Sequence, residues 1–155
     1  MNSVTDRDNG AKALLARLQA QRGATVRVGV LDDAAKRTED GEGPLTLVEV
    51  AALHEFGAEG IPQRSFVRAT VDLHEAEIHD LQRALALQVL RGEVEEEVAL
   101  ERLGMKVAAK CQNRIAEGIP PENAPETIER KGSSKPLVDT GQLKASITYR
   151  VYREG

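Results

Sequence analysis

The sequence predicts an α+β fold, a small antiparallel or mixed sheet packed by one or two long helices and trailing extended loops or arms. Three observations predict it. Residues 25–31 and 146–152 alternate apolar and polar side chains, the strand period, and they lie near opposite ends of the chain. Residues 71–90 and 93–116 instead repeat apolar residues every three to four positions, the helical period. Helices and strands do not alternate regularly along the chain, which argues against a doubly wound parallel sheet.

Residues 1–9 are polar and expected to fray. From Gly10, Leu14, Leu15 and Leu18 recur at helical spacing among Lys12, Arg17 and Gln19, and Gly23 ends that short amphipathic helix. In residues 25–31, Val26, Val28 and Val30 share one face and Arg27 lies on the other, a strand with one wet side. Residues 32–44 are charged and glycine-rich, a long excursion rather than a tight turn.

Helical spacing returns over residues 45–56, where Leu47, Val50, Ala51 and Leu53 are apolar and Glu49 and Glu55 are expected to point outward. Gly57 is the expected left-handed stop. Ile61-Pro62 forces extended backbone, and residues 66–69 are expected to form a short strand or extended edge. Leu73, Ile78, Leu81 and Leu85 then stripe one long helix, which Gly92 interrupts or bends. The next helix carries Val94, Val98, Leu103, Val107 and Ile115, with glutamates crowding its first turns where they suit the helix dipole. Gly118-Ile-Pro-Pro121 breaks it, and residues 118–136 form a second long loop. Asp139-Thr-Gly141 signals a capped short helix near Gln142. In the closing strand Ile147, Tyr149 and Val151 share one face while Thr148, Arg150 and Tyr152 share the other.

Composition narrows the function classes. With 155 residues the chain is expected to be one domain with a modest core. Only 3% of residues are aromatic and none is Trp, so Ala, Val, Leu and Ile must fill that core. A formal net charge of -4 argues against a general nucleic-acid binder, which needs a basic footprint. The single Cys111 cannot close an internal disulfide and points to a reducing compartment. No segment approaches the roughly 20 apolar residues of a membrane span, and the first residues lack a signal-peptide core. The expectation is a protein of the cytoplasm with no membrane partner.

The sequence holds little that resembles catalysis. His74 and His79 suggest a metalloprotease helix, but a spacing of five places them ~140° apart around an ideal helix, too far to share a metal. Solvated helix-face histidines are the expected reading. His54 beside Glu55 has no nucleophile to serve, and a place at a helix C-terminus suits it. Cys111 lies in a helical run next to small apolar residues and is expected to be a buried core thiol. Gly41-Glu-Gly43 is too short and too acidic to cradle phosphate, and the serines lack a nucleophile elbow. No catalytic residue, metal ligand or cofactor site is assigned, and the protein is expected not to be an enzyme.

Two features point to contacts with other subunits instead. Arg64 and Arg68 flank Phe66 just after Pro62, an expected protruding edge of the kind that anchors interfaces. Arg130, Lys131 and Lys135 lie on a Gly/Ser-bearing loop that could order against a neighbour or an acidic partner. The closing strand, through Ile147, Tyr149 and Val151, is a further candidate for pairing across subunits by strand addition.

Two motif blocks carry a resemblance. Pro136-Leu-Val-Asp-Thr-Gly-Gln-Leu-Lys-Ala-Ser-Ile147 resembles the C-terminal signature of a family of bacteriophage virion-morphogenesis proteins. Upstream, Val50-Ala-Ala-Leu-His-Glu-Phe-Gly57 followed by Ile61-Pro-Gln-Arg-Ser-Phe-Val-Arg68 is similar to the "hEfG" and "IPxRxF" segments of that family, in the same order. Its members are small neck or tail-completion components of long-tailed Mu-like and lambda-like phages and prophages. The resemblance implies a small sheet crossed by a long helix and a structural role in joining the tail end to the head connector. It also implies a ring-forming homo-oligomer, a hexamer or dodecamer, that contacts connector and tail proteins while DNA passes through its lumen. The protein would then be assembled in the host cytoplasm and reside in the virion. The alternatives are a tail-terminator or head-closure ring of the same virion, or a non-virion interaction domain dimerising through residues 71–116.

Overall fold

The computed structural model describes residues 10–20, 23–31, 45–122 and 141–153. Among the described residues, six helices and two strands follow in the order α1 (Ala11–Ala20), β1 (Ala24–Val30), α2 (Leu47–Phe56), α3 (Arg68–Leu73), α4 (Glu75–Arg91), α5 (Glu96–Glu117), α6 (Gln142–Ser146) and β2 (Ile147–Arg153). The architecture is α+β, as the two periodicities predict. The strands from the two ends of the chain pair antiparallel, with Val26 opposite Val151, Val28 opposite Tyr149 and Val30 opposite Ile147. That register places all the apolar positions of both strands on one face.

Helix α5 covers that face. Leu103, Val107, Cys111 and Ile115 recur along its buried side, and Val26, Val28, Val30 and Tyr149 pack against them. Gly104 lies at the closest approach of helix and sheet. A β-carbon there would sit 2.7 Å from the Tyr149 ring and 2.7 Å from Cγ2 of Val26, so only glycine lets the helix lie this near. Gln112 ties the same face by donating from Nε2 to the Ile147 carbonyl at 2.9 Å. The two best-buried core residues, Cys111 and Ile115, are both 0% exposed. Cys111 is thus the small core residue expected of it, and burial pushes its thiol pKa up.

Helix α4 packs on α5 through Ile78 and Leu85, and α1 lies along α4. Arg17 of α1 donates from Nη1 to the Leu90 carbonyl at 3.1 Å, satisfying one of the last acceptors of α4. Leu14, Leu15 and Leu18, the expected apolar stripe of α1, remain exposed.

The single helix expected over residues 71–90 is two. His74, at φ -112° and ψ 18°, separates α3 from α4 and so acts as the end of one helix and the start of the next. Residues 66–69 form no strand. Val67 begins α3 and Arg68 is its first residue, because a side chain distant in sequence supplies this helix with a cap. Helix α2 carries a capping box that the periodicity alone did not reveal. Thr46 accepts from the Glu49 amide at 3.3 Å, and the Glu49 carboxylate accepts from the Thr46 amide at 2.7 Å. The Thr46 amide and the Thr46 hydroxyl, both donating to it, hold the exposed Glu49 carboxyl below its ordinary pKa.

Candidate functional site

The blocks around residues 50–57 and 61–68 converge on one carboxylate. Helix α2 ends at Phe56, and its penultimate residue, Glu55, turns inward and is 8% exposed. The chain leaves α2 through Gly57 at φ 77° and ψ 164°, a conformation essentially confined to glycine and different from the left-handed helical stop expected there. It returns through a bridge between Ala58 and Ile61, and the Arg64 amide then donates to the His54 carbonyl at 2.7 Å. That return places the start of α3 directly over Glu55.

Glu55 then accepts four hydrogen bonds. Ser65 Oγ donates at 2.6 Å, and the amides of Phe66, Val67 and Arg68 donate at 2.8, 3.0 and 2.9 Å. Ser65 Oγ in turn accepts from the Ala69 amide at 3.0 Å. Four consecutive amides at the α3 N-terminus, which no helical carbonyl can reach, are thereby satisfied by two side chains. The negative charge also faces the positive end of the helix. Burial raises the Glu55 pKa, but the Ser65 hydroxyl and the three amides outweigh it and hold the carboxyl below its ordinary value.

The second block supplies the other half of this clasp. Arg64 donates from Nε to the Pro121 carbonyl at 2.8 Å and from Nη2 to the Glu122 carbonyl at 3.2 Å, fixing the chain that leaves α5. Arg114 on α5 donates to the Ser65 carbonyl at 3.2 Å. Phe66 plugs the core beneath and is 2% exposed. This corrects the expectation of a protruding edge. Arg64 and Phe66 face inward, because one ties down main-chain carbonyls and the other supplies core volume in a chain poor in aromatics. Arg68 alone of the three is exposed. Glu55, expected outward, is likewise an inward group.

The candidate strand is partly corrected too. Ile147 is buried, and Tyr149 and Val151 are half-buried under α5, so their side chains are not a free face. One edge of β2 is already paired with β1. The accessible side of the sheet is the opposite one, carrying Thr25 and Arg27 from β1 with Thr148, Arg150 and Tyr152 from β2. Arg27 lies over the Tyr152 ring at 4.6 Å from its centroid. Arg130, Lys131 and Lys135 lie outside the described residues.

The histidines have separate surroundings. His79 is exposed on α4. His74 Nδ1 lies 3.3 Å from Lys110 Nζ, which donates to Glu77 at 2.6 Å and holds that exposed carboxyl below its ordinary pKa. Among the described residues, no group of three or more His, Cys, Asp or Glu side chains is placed to hold a metal. No described helix is long and apolar enough to cross a membrane. No family model, curated protein or solved structure matches this chain.

Proposed function

We propose that this protein is a structural component of a bacteriophage virion, acting in the neck as a ring-forming oligomer that joins the tail end to the head connector. The observation that carries the reading is the way the resembling motifs are used. The Glu of the first segment caps the helix opened by the second, and its Arg anchors the segment beyond α5. The C-terminal block, residues 136–147, provides α6 and the start of β2, which pack against α5 and α2. Residues of an architectural motif are expected to hold a shape in this way rather than to converge on a substrate.

On this reading the protein works by geometry and carries no chemistry. Copies join, DNA passes through the lumen, and neighbouring connector and tail proteins seat on its two ends. The dimeric alternative through residues 71–116 is disfavoured by one observation. Most of the expected stripe, Ile78 and Leu85 of α4 with Leu103, Val107 and Ile115 of α5, is buried inside the fold, while Leu73 and Val98 are exposed.

The test is complementation. Heads and tails from particles lacking this protein are mixed with the purified chain, then scored by electron microscopy and infectivity. Binding at the tail end with rescue of joining is the expected result. Binding only to heads would move the protein to the connector, and binding to neither would end the virion reading.

A further inference from the structure

We propose that residues 58–73 form a latch over the Cys111 thiol, opening as one unit between Gly57 and His74 while α5 and the sheet stay folded. The inference stands apart from the virion reading and does not depend on it.

The segment is bounded by two backbone breaks. Gly57 takes a conformation nearly confined to glycine, and His74, outside helical geometry, divides α3 from α4. Positions of this kind serve as hinges, so α3 can swing without bending α4. Between the breaks the chain has little hold of its own. α3 has six residues, too few for a helix that is stable by itself. The amides that open it are held by the Glu55 carboxylate of α2.

The bonds that close the latch engage two buried charges. Glu55 lies outside the segment, and its four described donors, Ser65 Oγ and the amides of Phe66, Val67 and Arg68, lie within it. Arg64 lies within the segment, is 6% exposed, and holds the Pro121 and Glu122 carbonyls outside it. A buried charge stripped of its hydrogen bonds is costly, so a half-open latch is disfavoured at both groups. Either all of these bonds are made or both groups reach water. That is the condition for a two-state element.

Cys111 lies beneath the latch and reports on it. The thiol is 0% exposed, and the Thr70 hydroxyl of α3, also 0% exposed, sits beside it and opposes the rise that burial gives its pKa. Phe66, 2% exposed, belongs to the same core cluster. Lifting α3 carries Thr70 and Phe66 away and opens this side of Cys111 to water. The layer that stays is held by other groups. Gly104 brings α5 against Tyr149 and Val26, and the remaining valines of β1 pack on the same cluster.

Iodoacetamide alkylation of the full-length chain, followed by mass spectrometry, reads the opening, because Cys111 is the single cysteine. Each rate is divided by that of the same chain unfolded in urea, which removes differences in intrinsic reactivity. In the wild type, alkylation is expected to rise less steeply with urea than global unfolding does, since opening residues 58–73 exposes less surface. Glu55→Gln keeps the shape and removes the charge, and is expected to speed alkylation without urea by about tenfold or more. Arg64→Gln should also speed alkylation. It should speed exchange of the Phe66, Val67 and Arg68 amides by the same factor, although their acceptor is Glu55. Val28→Ala, on the sheet, should lower global stability and leave alkylation without urea unchanged. A wild-type rate that parallels global unfolding at every urea concentration would overturn the proposal, and that arm needs no variant to fold. So would an unchanged thiol rate in Glu55→Gln, equal acceleration by Val28→Ala, or amides and thiol changing by different factors in Arg64→Gln.

Discussion

Replacing Gly104 with alanine tests the closest contact in the fold. The added methyl would lie 2.7 Å from Cδ2 and Cγ of Tyr149 and 2.7 Å from Cγ2 of Val26. Carbon atoms prefer about 3.5–4.0 Å, so all three contacts overlap by roughly an ångström. Relief requires the helix and the sheet to separate, and overpacking of this kind costs about 1–3 kcal/mol. Alanine is better than glycine in a helix interior by about 1 kcal/mol, which offsets part of that cost. The expected net effect is destabilisation of about 0–2 kcal/mol, from subtracting the second figure from the first. The exposed Ala109, on the same helix, calibrates the propensity: Ala109→Gly is expected to lose about 1 kcal/mol. Urea unfolding measures both, with helix followed by far-ultraviolet circular dichroism. The sheet is followed by tyrosine emission, since the only two tyrosines, Tyr149 and Tyr152, lie on β2. Gly104→Leu should exceed the alanine effect and shift the tyrosine signal at lower urea than the helix signal. A Gly104→Ala protein stabilised by about 1 kcal/mol, mirroring Ala109→Gly, would refute the close approach of helix and sheet.

The clasp yields three further expectations. Glu55→Ala should cost about 3 kcal/mol in urea unfolding, combining a lost helix cap with buried amides left without an acceptor, and Glu55→Gln should cost less. Because the folded Glu55 pKa lies below the unfolded value of about 4.3, its contribution is full above that pH and is lost as pH falls through the folded pKa. A wild type and a Glu55→Gln protein with parallel stability profiles below about pH 4.3 would contradict that assignment. Arg64→Ala should leave the Pro121 and Glu122 carbonyls without this donor, costing about 1–3 kcal/mol, and should speed amide exchange after Ile119. Arg64→Lys should recover little, because an ammonium cannot present two donors in the same fork. Gly57→Ala should destabilise by about 1–3 kcal/mol in thermal unfolding, since its backbone is nearly restricted to glycine and a β-carbon would meet Gln63 at 3.2 Å.

By itself the sequence determined the α+β class, both strands with their apolar face, and the long α5 helix, because period two and period 3.6 are local signals. It also determined that Cys111 would be core, since a small thiol flanked by alanines on a helix has that default. Only the tertiary structure decided where Glu55, Arg64 and Phe66 point. An acidic residue near a helix end and an arginine after a proline look solvent-facing along the chain, and their partners emerge only when the turn after Gly57 folds back. Those four hydrogen bonds also explain why residues 66–69 open a helix rather than a strand: a cap from another element outweighed local extended propensity. The Arg27–Arg150 pair was legible only as two separate polar strand positions. Pairing the first strand with the last set them opposite each other, because register depends on burying valines against α5 and places whatever shares their strands on the outer face.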